Sequence, residues 1–233
     1  VSAGAKAKFI VLAFVPYLIA YVLIQQIITV NEYDLMTTID RDIPFVPEFI
    51  WIYHTIIPLT VFTCFLFFQK RKLFLLMTYS NLVAGTILCF FYVFFPSFYP
   101  RTDWVDTSTI SGMMVEFTRI IDGANNTFPS GHVTFAWMLA LLVSISTVGK
   151  KYMSLRIIYF VWASLISIST LTLKQHYLFD VVSGIMLAGI IFYIFKRSRL
   201  FRETGSLINT DAKFVPTRIT TGEVSVDSRR NTA

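Results

Sequence analysis

Charge and cysteine are scarce in this sequence. Only 15% of its 233 residues are charged and only two are cysteine, Cys64 and Cys89. Each cysteine lies inside an apolar run, where a thiol behaves as a small buried hydrophobe, so neither a disulfide framework nor a metal framework is implied. The low charge excludes an ordinary soluble surface: with 55% hydrophobic residues, 23 Phe and a mean hydropathy of +0.64, the composition is that of a membrane protein. A net charge of +6 would suit nucleic acid, but Lys and Arg fall in short clusters beside apolar runs rather than along one face. The charge is therefore a topology signal, and no nucleic-acid partner is expected.

What is abundant is apolar sequence in blocks of membrane length. The first, Phe9 to about Val30, is too long for a signal-peptide core, lacks a clear small-residue cleavage site and reads as a retained span. Five more follow at Phe49–Phe68, Leu73–Phe95, His132–Val148, Ile157–Leu173 and Tyr177–Phe195. In lipid each backbone polar group must pair within its own segment, so an all-α polytopic protein with six transmembrane helices is expected. The fifth block carries Ser164, Ser167, Ser169, Thr170 and Thr172, small hydroxyls suited to packing against other helices. Pro58 is positioned to kink the second.

Basic residues fix the orientation. Lys6 and Lys8, Lys70 to Lys72, Lys150, Lys151 and Arg156, and Lys196, Arg197, Arg199 and Arg202 share one side, against Arg41, Arg101, Arg119 and Lys174 on the other. By the positive-inside rule both termini are cytoplasmic and the second side, which also carries the acidic residues from Glu32 to Asp180, is extracytoplasmic. Residues 1–202 form the membrane domain, and 203–233, polar with the single aromatic Phe214, are expected to be a disordered cytoplasmic tail. The absence of a long leader fits a bacterial inner membrane. The longest connection, Pro96 to about Gly131, lies outside, and Ile110, Met113, Met114, Phe117 and Ile120 within it have helix-like spacing, which suits either an amphipathic helix at the interface or an ordinary packed loop helix.

Three stretches with chemical content meet at that outer face. Pro129, Ser130 and Gly131 lead into the fourth span just before His132; Ser130 can cap the helix, Gly131 admits a ligand to the backbone, and the free amides form an anion site. At the start of the sixth span His176 and Asp180 are four residues apart, so on a helix the carboxylate can orient the imidazole and leave its other nitrogen as a nucleophile. At the end of the third span, Arg101 offers a planar, permanently charged fork to phosphate oxygens.

Phe128-Pro129-Ser130-Gly131-His132 and His176 with Asp180 resemble the second and third motifs of the type 2 phosphatidic acid phosphatase and haloperoxidase superfamily, over roughly Asp40 to Gly189. The stretches Pro96–Arg101 and Asp122–His132 look closest to its branch with inositol phosphorylceramide synthases and related bacterial proteins. The resemblance implies that His176 attacks phosphorus, Asp180 orients it and His132 protonates the leaving oxygen. It further implies that Arg101, Ser130 and Gly131 bind the phosphate and that no metal or cofactor takes part. Two positions depart from the pattern: Phe94 replaces the usual Lys seven residues before the Arg, and Thr170 the usual Arg six residues before the His. Lys174, one helical turn after Thr170, is the candidate for the missing charge.

The function expected is a membrane lipid phosphatase acting on a lipid phosphate or pyrophosphate through a phosphohistidine. The alternatives are a lipid headgroup phosphotransferase of the sphingolipid-synthase kind and a non-catalytic transporter or scaffold. His54 reads as a structural histidine, and Gly184 with Ala188 as a small-residue seam for helix packing within the chain.

Overall fold

The computed structural model describes residues 3–28, 33–68, 70–101 and 104–198. The expected tail at 203–233 and the basic residues Arg199 and Arg202 lie outside the described residues.

Helices dominate what is described, and the β-structure among the described residues amounts to two single-pair bridges, Tyr33 with Ser97 and Phe98 with Asn125. The helices are α1 (Ala3–Ile27), α2 (Thr38–Asp42), α3 (Ile50–His54), α4 (Ile56–Phe68), α5 (Arg71–Phe94), α6 (Ile110–Ile121), α7 (Gly131–Ile145), α8 (Thr147–Lys151), α9 (Met153–Thr172) and α10 (Leu178–Arg197), with a 3-10 turn at Pro47–Phe49. Among the described residues four stretches are long and apolar enough to cross a membrane: Pro47–Phe67, Lys72–Phe94, Met153–Thr172 and Leu178–Arg197. Phe14–Ile27, within α1, and Gly131–Ile145 are shorter apolar stretches. At 1.5 Å per residue the 15 residues of α7 rise about 22 Å, against about 30 Å of hydrocarbon.

The shortness of α7 goes with its position. It packs against α4, α5, α9 and α10, and Val133, Ala136, Met138, Leu139, Ala140, Leu142 and Val143 are all buried. A helix that is apolar all round belongs in an interior, and here the interior is made of other helices. The hydroxyl-rich face of α9 supplies one wall, as its composition suggests: Ser167, Ser169, Thr170 and Thr172 are buried, and the Trp137 indole donates to Ser167 Oγ at 3.0 Å. On the other side Gly184 of α10 brings that helix so close that an added Cβ would lie 2.9 Å from the Ser130 carbonyl oxygen and 3.3 Å from Val133 Cβ.

Pro58 acts on the second span at a distance. Having no N–H, it leaves the carbonyl of His54 without its helical donor, and the helix divides at Thr55 into α3 and α4. Thr55 Oγ1 accepts the Trp162 indole at 2.8 Å, which ties the break to α9.

α6 forms where its spacing predicts, capped by Thr109, whose hydroxyl accepts the Gly112 amide at 3.0 Å. Its inward face is the small one, Gly112, Val115 and Thr118, whereas Ile110, Met113, Phe117 and Ile120 are exposed. This outward apolar face lies on a short helix beside the Trp51 end of α3.

The seam at Gly184 yields a paired test. Gly184→Leu should destabilise the detergent-solubilised protein by about 1–3 kcal/mol or more, because the added side chain meets backbone. Gly189→Leu, on the same helix with nothing within 4 Å, should leave the thermal unfolding midpoint unchanged or higher.

Candidate functional site

Two helix starts bring the candidate residues together. Ser130 caps α7, with its hydroxyl accepting the Val133 amide at 3.4 Å and its carbonyl the Thr134 amide at 3.0 Å. That arrangement leaves the amides of Gly131 and His132, the first two of the helix, without a hydrogen-bond partner among the described residues. At α10 the Asp180 carboxylate accepts the Tyr177 amide at 2.9 Å, and the Asp180 carbonyl accepts the Ser130 amide at 3.1 Å. The two starts are thereby joined directly, and the His132 and His176 rings lie 6.1 Å apart, centroid to centroid.

His176 is oriented chiefly by backbone. Its Nδ1 lies 2.9 Å from the Thr127 carbonyl oxygen and 3.4 Å from Asp180 Oδ2. A carbonyl can only accept, so Nδ1 carries the hydrogen and the lone pair of the neutral ring is on Nε2. Asp180, expected as an orienting partner, is the more distant of two acceptors; its Oδ2 is shared with the Tyr177 amide, and its Oδ1 is buried without a partner. Thr127 is held in turn by Ser97, whose Oγ lies 2.7 Å from Thr127 Oγ1 and accepts the Phe128 amide at 2.8 Å.

Arg101 occupies the junction of three loops. Its Nη1 donates to the Lys174 carbonyl at 3.3 Å, and its Nη2 to the carbonyls of Asp122 and Gly123 at 3.2 and 2.7 Å. Its Nε is buried without a partner. Lys174 stands in the turn between α9 and α10 with φ of 55°, a left-handed conformation uncommon for a side chain of this size. Its ammonium donates to the Asp40 carbonyl at 2.7 Å, and that engagement, with the Arg101 bond to its own carbonyl, holds the turn in place. Asp40 also caps α10, its Oδ1 accepting the Leu178 amide at 2.7 Å. The side of Gly131 where a Cβ would stand faces the hydroxyls of Tyr17 and Tyr92, at 2.7 and 3.1 Å, so that side of the residue is closed by aromatic packing. His54 is satisfied by Thr118, its Nε2 lying 2.9 Å from Oγ1.

Two further side chains belong to this cluster and are absent from the sequence-derived set. Asp122, the C-cap of α6, receives the hydroxyls of Tyr21 at Oδ1 and of Tyr53 at Oδ2, the latter at 2.7 Å. The Tyr53 hydroxyl also lies 3.3 Å from His132 Nδ1, and its ring packs against the His132 ring at 4.3 Å between centroids, tilted by 33°. Burial works to raise the Asp122 carboxyl, but the facing His132, the two tyrosine hydroxyls and Arg101 outweigh it and hold the group below the ordinary carboxylate range. The signal available in the sequence is Asp122 itself, an acid ten residues before His132 in a chain poor in charge. Nothing marks Tyr53 among eleven tyrosines.

A family model described as the PAP2 superfamily matches residues 38–194. No curated protein matches the sequence.

The carboxylate of Asp122 makes stability depend on acid. Its folded-state value is depressed, so its contribution is present at neutral pH and is lost as pH falls through that value. The unfolding midpoint of the wild type should exceed that of Asp122→Asn at pH 7, and the gap should close below about pH 4.

Proposed function

The chain belongs to the PAP2 superfamily and is an integral membrane protein of phosphatase type, and from that premise we propose that it hydrolyses a lipid phosphate or pyrophosphate through a phosphohistidine on His176. The observation that carries the reading is the Thr127 carbonyl on His176 Nδ1: it assigns the free lone pair to Nε2 of a ring whose centroid lies 6.1 Å from that of a second histidine.

In the proposed reaction His176 Nε2 attacks phosphorus. A P–N bond forms, the P–O bond to the lipid breaks, and its electron pair stays on the lipid oxygen, which takes a proton from His132. Water then attacks phosphorus and the P–N bond breaks. The pair returns to His176, and His132 recovers its proton from the water. Asp180 steadies the His176 ring, and Arg101 through Nε, Lys174, Ser130 and the amide of Gly131 balance the phosphoryl charge.

The reading includes a topology of six crossings, α1 and α7 among them, both termini cytoplasmic and the histidines on the extracytoplasmic side. The basic clusters at Lys70 to Lys72 and Lys150 with Lys151 support it. It predicts that, in a background free of Cys64 and Cys89, Ser108→Cys reacts with an impermeant maleimide in sealed cells or vesicles. Lys150→Cys should react only after permeabilisation, and the reverse pattern would invert the assignment.

The catalytic reading is tested by phosphate release from lipid mono- and pyrophosphates, with and without a diacylglycerol or ceramide acceptor. Release without acceptor, reduced on the order of 10³-fold or more in folded His176→Ala, is the expected result. Product formed only with an acceptor, and without free phosphate, would make the protein a headgroup transferase. Turnover that survives His176→Ala would overturn the mechanism.

A further inference from the structure

The Asp122 carboxylate and the Tyr53 hydroxyl form a line of contacts that ends on His132. Tyr53 has one hydroxyl hydrogen, and the carboxylate at 2.7 Å is the acceptor that takes it. The oxygen it leaves toward His132 Nδ1, 3.3 Å away, can then only accept, which calls for a hydrogen on Nδ1. If that nitrogen is protonated in the resting ring, Nε2 is where a second, transferable proton resides.

We propose that Asp122, acting through Tyr53, is a positioning residue for His132: it fixes the ring and stabilises the imidazolium that gives its Nε2 proton to the leaving oxygen. The proposal rests on His132 being the acid in the reaction above. As the P–O bond breaks, the Nε2 proton passes to the lipid oxygen. His132 becomes neutral with Nδ1–H still donated to Tyr53, and Asp122 stays a carboxylate throughout. Water returns the proton to Nε2 in the second step, so no proton needs to leave through Tyr53.

The geometry around this line is specific to it. Both carboxylate oxygens of Asp122 are used, one by Tyr21 of α1 and one by Tyr53 of α3, and its backbone carbonyl is held by Arg101. Tyr53 is 3% exposed and its ring packs at a tilt against the imidazole, so the hydroxyl has little freedom to turn away. The other titratable or charged groups facing His132 are His176 from the start of α10 and His54 from α3, with Arg101 and Tyr21 reaching it through Asp122. Asp122 is the one anion in that set. His176 thus takes its orientation mainly from a carbonyl, whereas His132 has a carboxylate one hydroxyl away. The nucleophile needs a lone pair and the acid needs a retained charge, and each environment suits its ring.

The full-length protein in detergent can be tested as Asp122→Asn, Asp122→Glu and Tyr53→Phe. Two readouts are taken: the pH dependence of kcat/KM on a lipid phosphate, and the titration of the three imidazoles followed by NMR of ¹³C-labelled histidine. The expected result is that the alkaline limb of the profile and the His132 midpoint both move to lower pH by about one unit in Asp122→Asn. The His176 midpoint should stay in place, KM should change little, and Asp122→Glu should recover part of the shift. Tyr53→Phe, which keeps the ring packing, should move the same limb in the same direction. A kcat loss that is uniform across pH, with the His132 midpoint unmoved, would overturn the proposal. The NMR titration does not depend on turnover, so an inactive wild type would defeat the catalytic reading while the His132–Asp122 linkage was still measured on its own.

Discussion

Three backbone carbonyls, of Asp122, Gly123 and Lys174, converge on the guanidinium of Arg101. Carbonyl groups at the end of an apolar helix bundle need donors, and a loop cannot supply them from a regular ladder. One planar group with five fixed N–H bonds meets the need for three of them at once. The segment after α5, the segment before α7 and the turn before α10 are thereby drawn to one point. With these in place, Ser97 can reach Thr127, Thr127 can reach His176, and the Ser130 amide can reach the Asp180 carbonyl. Each histidine owes its direction to a contact made by backbone or by a residue distant in sequence.

The broad outline was legible because it is written in hydropathy and charge. Apolar blocks predict the helices, the hydroxyl-rich face of α9 predicts its burial, Pro58 predicts an interruption, and the spacing of Ile110, Met113, Phe117 and Ile120 predicts α6. The helix-start signal at Ser130 also reads correctly, since a hydroxyl before an apolar run is a local feature that needs no tertiary information. The length of α7 was harder to read. Its apolar block extends through Val148, but Ser146 accepts the Gly149 amide and starts a separate short helix, so the run of apolar letters overstates the continuous helix.

What stayed hidden is tertiary. The Thr127 carbonyl that orients His176 has no side-chain signature, since every residue but one type offers the same carbonyl and amide. Lys174 and Thr170 are four apart, which on a continuous helix would stack them, but α9 ends at Thr172 and Lys174 turns left-handed, sending its ammonium to Asp40. Gly131 looks like space for a ligand in the sequence and is closed on its Cβ side by two tyrosines in the fold. In each case the contact that the fold supplies comes from more than thirty residues away.

α1 shows how far such support extends. It lies before the region matched by the family model, yet Tyr21 donates to Asp122, Tyr17 faces Gly131, and the amides of Asn125 and Asn126 are anchored on the carbonyls of Ile28 and Tyr21. A boundary drawn where similarity starts, at residue 38, would cut between the candidate site residues and the scaffold that holds them. The smallest unit that can be inherited, swapped or trimmed as an active site is therefore larger than the smallest unit that can be recognised as one.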